Sequence, residues 1–314
     1  MDGPALVLLT GKGGTGKTTA AAALALGLAA RGTPVLVASL DPAHNLGDVL
    51  GVPLGDEPRE VAPGVAAREV DLAGMLRRRL AATRQALGER YRYLSAASLD
   101  PLLRLLGDAP GAEEQAAAEA LAGLSREAAR ERRVLVVDLP PSGQAWRILG
   151  LPRATADWLA SLAALRRKIL DRRATLRHVL GEETPARHPA DGEPVPADAG
   201  DDPVSARLGG SLALHRDLAD ALADPARARI LAVATPARLA LVEAERLADR
   251  LGAQGISLAA LVVNRVRDGA APPVDGELPA ALRGLPRAVL PELPGEPRGP
   301  DALAPLAAPL LALF

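Results

Sequence analysis

The sequence predicts an α/β fold in which a doubly wound, mainly parallel sheet carries an inserted helical subdomain. Apolar, strand-like runs alternate with helix-like segments along most of the 314 residues, which is typical of a parallel sheet. A glycine-rich loop lies between the first strand-like run and the first helical run. Hydrophobic residues make up 48% of the chain, so a large core can form, although only 2% of the residues are aromatic.

The glycine-rich loop covers residues 11–19, after the apolar run 5–9 and before an Ala/Leu-rich run that ends at residue 30. Strand, glycine loop and helix is the order that a phosphate-binding loop requires, because backbone N–H groups and the helix N-terminus then face the phosphates. We expect Lys17 to neutralise the terminal phosphates and the Thr18 hydroxyl to ligate Mg²⁺. The predicted nucleotide-binding residues of the loop are Gly11, Lys12, Gly13, Gly14, Thr15, Gly16, Lys17, Thr18 and Thr19.

Two rare residue types coincide with the segments of interest. Among 37 Lys and Arg residues, the lysines are Lys12, Lys17 and Lys168, and two of these lie in the loop. Asparagine occurs only as Asn45 and Asn264. A lysine is a compact point charge that fits a phosphate cradle, whereas arginine is a planar fork, so the two lysines favour phosphate binding.

The other predicted elements follow in chain order. Residues 72–131, with a break at 107–111, and residues 153–180 have helical patterns, and another helix ends at about residue 223. Residues 181–206 are rich in Pro, Asp, Glu and Gly and predict a mobile loop. We therefore predict one domain over residues 1–314 with a helical subdomain from 72–131 and 153–223. The predicted strands lie at 5–9, 34–40, 66–71, 134–137, 230–234 and 258–263 and just before residue 291.

Two aspartates directly follow strand-like runs, Asp41 after residues 34–40 and Asp138 after residues 134–137. A carboxylate in this position lies near the phosphate loop and suits Mg²⁺ or a water molecule, and the run that ends at Asp138 has the form of a Walker B segment. The alternative is that each aspartate only caps a helix. Residues 140–143, Pro-Pro-Ser-Gly, predict a loop after the strand at residues 134–137.

Charge and composition argue against several kinds of partner, cross-link and metal site. The net charge of −1 offers no bulk attraction for nucleic acid, so we expect no nucleic-acid partner. The absence of cysteine excludes disulfides and thiolate metal sites. The apolar runs 20–30 and 302–314 are shorter than the roughly 20 residues that cross a bilayer. We expect a cytoplasmic protein with at most transient membrane contact, in which the second run packs on the core.

With Lys12 at its second position, the loop resembles the deviant Walker A loop of ATPases that include partition, septum-positioning and nitrogenase iron proteins. Within this group the chain resembles the arsenical pump-driving ATPases and the ATPases that guide tail-anchored membrane proteins. The resemblance is weakest at residues 72–107 and 165–210. It is carried by the loop and by residues 41–48, 138–152, 222–265 and 291–299.

The resemblance implies an ATPase whose cofactors are ATP and Mg²⁺. Asp41 would activate the attacking water and, with Thr18 and Asp138, would belong to the metal site. Lys12 would reach across a homodimer, or a heterodimer with a related chain, to the partner's nucleotide, as an arginine finger does. Lys12, Lys17 and Asp41 would be the catalytic residues, and Asn264 would hydrogen-bond adenine. The loop that packs the base would use Pro291, Leu293, Pro294, Glu296 and Arg298.

The resemblance also implies a hydrophobic membrane-protein client that a nucleotide-gated dimer binds. Two alternatives remain open: a soluble ATPase that drives a membrane efflux pump of the anion or arsenite type, and a nucleotide switch that positions complexes. Residues 138–145 would form the second switch of the family, a segment that responds to the bound nucleotide, and they depart from the family pattern at Leu139, Gln144 and Ala145. We do not expect activation by metalloids, because soft metalloids need thiolate ligands.

Overall fold

The computed structural model describes residues 4–43, 45–90, 109–180 and 202–314. These residues form one eight-stranded sheet with helices between its strands. The strands are β1 (Leu6–Gly11), β2 (Val35–Ser39), β3 (Arg59–Ala62), β4 (Val65–Glu69), β5 (Val134–Asp138), β6 (Ala228–Ala234), β7 (Leu258–Val266) and β8 (Arg287–Pro291). The helices are α1 (Lys17–Ala30), α2 (Leu46–Leu50), α3 (Leu72–Arg90), α4 (Ala112–Glu131), α5 (Ser142–Leu180), α6 (Pro203–Ala223), α7 (Arg238–Gly252) and α8 (Gly299–Leu311).

The strand order is β3-β4-β2-β5-β1-β6-β7-β8, and every neighbouring pair is parallel except the antiparallel pair β3-β4. The predicted α/β fold with a mainly parallel sheet is confirmed. Strands β1, β2 and β5 are buried along their whole length, which explains why they read as continuous Leu and Val runs. Because the chain winds from β1 toward both edges, a crevice at the carboxyl end of β1 is the expected ligand position.

The chain divides into two compact units. The first consists of residues 1–72, 117–150 and 218–314 and contains the sheet. The second consists of residues 73–116 and 151–217, and its described part is helical apart from short turns. These boundaries differ from the predicted subdomain, 72–131 and 153–223, because α4 and α6 each contribute residues to both units.

Several local predictions differ from the structure. The predicted loop at residues 140–143 is shorter, because Pro141 O accepts the N–H groups of Gln144 and Ala145 and α5 therefore begins at Ser142. Strand β3 and helix α2 had no sequence signal strong enough to predict them. Helix α6 begins at Pro203, inside the stretch predicted as a mobile loop. The rest of that stretch, apart from residue 202, lies outside the described residues.

The C-terminal apolar run forms α8, which packs on α1 as expected. A Cβ at Gly27 of α1 would lie only 2.9 Å from Cδ1 of Leu311 and 3.0 Å from Cβ of Ala307, so the glycine permits the close approach of the two helices. Leu303 and Leu310 are fully buried in the same core as α1. Across the described ranges, every helix is too short or too polar to cross a membrane.

Candidate functional site

The glycine-rich loop connects the end of β1 at Gly11 to the start of α1 at Lys17, as the sequence predicts. The Thr15 hydroxyl donates to Lys12 O at 2.8 Å, and the Thr15 N–H points to the same oxygen at 3.4 Å. Gly16 has a φ of +88°, and a Cβ there would collide with Nδ2 of Asn264. The loop backbone is therefore held by internal hydrogen bonds and by close contact with β7.

Asp138 lies at the end of β5, directly beside the start of α1. The Thr18 hydroxyl donates to Oδ2 of Asp138 at 2.6 Å, and the Ser39 hydroxyl donates to the same oxygen at 3.3 Å. Ser39 reaches Asp138 from the neighbouring strand β2, and Thr18 reaches it from α1, which follows the other neighbouring strand, β1. The structure thus places the predicted metal residues Thr18 and Asp138 in direct contact.

The Asp138 carboxylate has an oxygen that could bind a cation. It is completely buried, and Oδ1 has no hydrogen-bond partner within the described ranges. Burial raises the pKa of Asp138 to about 6, and the opposing effects of the Thr18 hydrogen bond and the Lys17 charge do not cancel this. A divalent cation would satisfy the orphan oxygen and favour the charged form, so the residues fit Mg²⁺.

Asp41, at the end of β2, faces the loop lysine. Its Oδ2 lies 3.9 Å from Nζ of Lys17, whose side chain is only 4% exposed. The Asp41 N–H donates to the Ser39 hydroxyl at 3.2 Å, and Oδ1 accepts the Ala43 N–H at 3.1 Å. These bonds fix the carboxylate beside the phosphate loop, which is where a residue that orients a water molecule has to lie.

Asn264, near the end of β7, contacts the backbone of the phosphate-binding loop. Its Nδ2 donates to Thr15 O at 2.8 Å, and its Oδ1 accepts the Arg265 N–H at 2.9 Å. The sequence did not predict the bond to Thr15. Each polar atom of the amide retains one further hydrogen-bonding position. The adenine contact that the resemblance implies stays a prediction.

The predicted base-packing loop starts at Pro291, the last residue of β8. Pro291 pairs in parallel register with Val266 of β7, so the loop leaves the sheet next to the strand that carries Asn264. Leu293 packs against the main core, and Nη2 of Arg298 lies 3.9 Å from Oδ1 of the exposed Asp48 in α2. All five base contacts, Pro291, Leu293, Pro294, Glu296 and Arg298, stay predictions.

The second switch follows β5 and enters α5. Leu139 and Ala145, two of the departures from the pattern of the family that the chain resembles, are completely buried apolar side chains. The Trp146 ring lies 5.4 Å from the Arg147 guanidinium and 5.1 Å from the Arg250 guanidinium. Since Arg250 belongs to α7, this ring joins the start of α5 to α7 within the first unit.

Sequence reasoning missed two residues at this site. Ser39 is a polar residue at the end of an apolar strand, next to Asp41, and this position was a usable signal. Glu243, on α7, forms an ion pair with Lys12, with 3.1 Å between Oε1 and Nζ. Because 231 residues separate Glu243 from Lys12, no local pattern could identify this partner.

Comparison with known proteins supports a nucleotide-processing site. A sequence model described as an anion-transporting ATPase matches residues 5–272. An uncharacterized protein of Streptomyces coelicolor is 36% identical, over 96% of this chain and 75% of that protein. An Escherichia coli protein named arsenical pump-driving ATPase is 29% identical, over 84% of this chain and 40% of that protein. A Cryptosporidium parvum protein named ATPase ASNA1 homolog is 26% identical, over 83% and 64% respectively.

Proposed function

The chain belongs to the anion-transporting ATPase family, and we propose that it hydrolyses ATP in a Mg²⁺-dependent, nucleotide-gated dimer. Family membership assigns nucleotide binding and ATP hydrolysis to the chain. The observation that carries the finer proposal is the contact between Thr18 and the buried Asp138, with Lys17 and Asp41 beside it. This arrangement combines an anion cradle, a cation site and a carboxylate for water.

In the proposed mechanism, the loop N–H groups and Lys17 bind the triphosphate. Thr18 and Asp138 would hold Mg²⁺, which neutralises charge on the phosphate oxygens when bound. Asp41 orients the attacking water and accepts hydrogen bonds from it, while its own position is set by Ser39 and by the Ala43 N–H. The chain's main contribution is positioning and electrostatic stabilisation, as in other phosphoryl transfers.

Lys12 supports the proposed dimer. Lys17 is buried in the loop, whereas the Lys12 side chain is 41% exposed and reaches Glu243 on α7. Since Lys17 already serves the chain's own nucleotide, we assign Lys12 to the nucleotide of a partner, either a second copy or a related chain. Two ATP molecules would then lie between the subunits, and hydrolysis would reopen the dimer.

The second unit supports a hydrophobic client. On α5, Trp158, Leu165 and Ile169 are 62%, 56% and 38% exposed. Their spacing of seven and four residues places them on one helix face, which we call the apolar face. Exposed large apolar side chains that share one helix face favour a binding role. We propose that this face contacts an apolar helix of a membrane protein and that the chain operates in the cytoplasm.

A soluble ATPase of an efflux pump is the second candidate, because a relative is named as an arsenical pump-driving ATPase. The absence of cysteine removes the thiolate ligands for metalloids, so in this case we expect pump driving without stimulation by arsenite. Turnover measured with and without arsenite tests this expectation directly.

The experiment for the proposed function compares Lys12→Ala with the unaltered protein. We expect Lys12→Ala to bind ATP with little change and to lose hydrolysis by about 10³-fold, as removal of an arginine finger does. Lys168→Ala is the matched control, because it removes the one lysine outside the loop. A second experiment tests the dimer by sedimentation. The Asp41→Asn variant should be a dimer with Mg·ATP and a monomer with Mg·ADP. Full turnover of Lys12→Ala would exclude the role in trans.

A further inference from the structure

We propose that Glu243 is a positioning residue that retains the Lys12 ammonium within its own chain, so that Lys12 is released to a partner's nucleotide only when this ion pair breaks. The consequence for catalysis rests on the proposed function, in which Lys12 acts across a dimer. The ion pair itself does not depend on that function, because both of its groups belong to the same chain.

The geometry assigns control of Lys12 to Glu243. The Lys12 backbone is held in place, because its carbonyl oxygen accepts both the hydroxyl and the N–H of Thr15. Only the flexible four-carbon side chain can redirect the ammonium, and within the described ranges its ion-pair partner is Glu243 at 3.1 Å. The carboxylate therefore biases the Lys12 ammonium toward α7 before a dimer forms.

A role in folding does not explain Glu243. Helix α7 packs on the core through Leu241, Ala244 and Leu247, which are buried, whereas Glu243 lies at the edge of that face and stays partly exposed. The Glu243 side chain is 28% exposed and the Lys12 side chain 41%, so water screens the pair and it contributes little to stability. Loss of Glu243 should leave the helix in place and affect chiefly the lysine.

The same exposure makes the pair reversible. A partly hydrated carboxylate can lose its cation without the cost of a buried, unpaired charge. A polyphosphate carries more negative charge than one carboxylate and can therefore compete for Lys12. Because exposed pairs are weak, we expect the pair to bias the position of Lys12 by about two- to fivefold and not to lock it.

The first experiment measures the chemical reactivity of Lys12 in the nucleotide-free protein. The three lysines make this simple, since acetylation of Lys12 can be quantified by peptide mass spectrometry against the exposed Lys168. Glu243→Gln should raise the ratio of Lys12 to Lys168 acetylation about two- to fivefold, because the ammonium is no longer paired. Glu245→Gln, which removes a charge from the same helix, should leave the ratio unchanged.

An unchanged ratio in Glu243→Gln, or an equal rise in Glu245→Gln, would overturn the proposal. A salt titration of the unaltered protein avoids the risk that a variant folds poorly. Higher ionic strength should raise the ratio toward that of Glu243→Gln, because screening weakens exposed ion pairs. A ratio that does not respond to salt would contradict the proposed release.

The second experiment links the ion pair to dimer formation. We expect Glu243→Gln to raise the fraction of Mg·ATP-bound dimer about two- to fivefold in sedimentation, and to have no effect in the Lys12→Ala background. An equal effect in that background would show that Glu243 acts independently of Lys12 and would overturn the proposal. Full turnover of Lys12→Ala would instead contradict the proposed function, while the acetylation result would still report on the ion pair.

Discussion

The Thr18 hydroxyl donates to Oδ2 of Asp138 across 2.6 Å and so joins the start of α1 to the end of β5. The contact places a hydroxyl and a buried carboxylate together at the base of the phosphate loop. Oδ1 of the same carboxylate has no partner within the described part of the chain. Oδ2 of Asp138 thus already accepts a hydrogen bond from the protein, whereas Oδ1 is available to a cation.

We expect Thr18→Ala to uncouple ATP binding from Mg²⁺. Without the hydroxyl, a proposed metal ligand and a partner of Asp138 are both lost, so turnover should fall on the order of 10²-fold. Titration of a fluorescent ATP analogue with and without Mg²⁺ measures the effect, and the gain in affinity from Mg²⁺ should disappear. Thr18→Ser retains the hydroxyl and should keep most of the gain. A normal response of Thr18→Ala to Mg²⁺ would contradict the metal assignment.

The raised pKa of Asp138 predicts a specific pH dependence of stability. Its pKa rises from 3.8 to about 6, chiefly because burial removes hydration from the carboxylate. Between pH 3.8 and about pH 6, the Asp138 carboxyl therefore binds more protons in the native state than in the unfolded state. The stabilising contribution of Asp138 is therefore fully present below about pH 3.8 and is lost as the pH rises through about 6.

Chemical denaturation in metal-free and nucleotide-free buffer tests this dependence. The free energy of unfolding, taken relative to Asp138→Asn, should decrease by roughly 2 to 3 kcal/mol across this pH range and then stay level. The comparison cancels the other carboxyl groups, because both proteins share them. A difference that increases with pH would show that the folded state favours the charged carboxylate.

The sequence predicted those parts of the site that depend on neighbouring residues. The glycine loop, Lys17 and Thr18 lie in one continuous stretch, and Asp41 and Asp138 are marked by the apolar strands before them. Parallel strands bring their carboxyl ends to one edge, so the meeting of these residues followed from the fold class. The strands themselves were predictable because they are buried on both faces.

Other contacts depend on tertiary structure and left no local signal. Glu243 meets Lys12 only because α7 packs beside the loop, and Asn264 reaches Thr15 from 249 residues away. The short antiparallel strand β3 is half exposed and lacks the apolar run of the central strands. The start of α5 was placed too late because the Pro-Pro pair resembles a loop, whereas Pro141 O accepts the first helical N–H groups.

We expect Asn264→Ala to weaken ATP binding about tenfold, because the Thr15 carbonyl loses the amide that supports it. If the free positions of the amide also bind adenine, as the resemblance implies, ATP affinity should fall more than GTP affinity. Calorimetric titration with both nucleotides separates the two contributions. Asn264→Asp keeps the acceptor for the Arg265 N–H but loses the donor to Thr15. It should therefore bind ATP at least as weakly as Asn264→Ala does. Unchanged affinity for both nucleotides would contradict a role in loop support.

The apolar face of α5 is the proposed binding surface for a client. Trp158, Leu165 and Ile169 are exposed although each is large and apolar, so charging this face should harm binding and leave the fold intact. We expect Trp158→Glu with Leu165→Glu to weaken binding of a fluorescent apolar helical peptide at least about tenfold in anisotropy measurements, because the desolvated area is lost. Turnover of ATP should stay near its basal rate, since neither residue lies near the phosphate loop in sequence or belongs to the first unit.

Leu239→Glu is the matched control for this surface. Leu239 is 59% exposed on α7 in the first unit, so its substitution also adds a charge to an exposed apolar position. Peptide affinity should be normal in Leu239→Glu and low in the α5 variant. Equal losses in the two variants would show that general surface charge, and not the apolar face, controls binding. Equal affinities near that of the unaltered protein would place the client elsewhere, because burial of an apolar helix cannot tolerate two carboxylates at its contact surface.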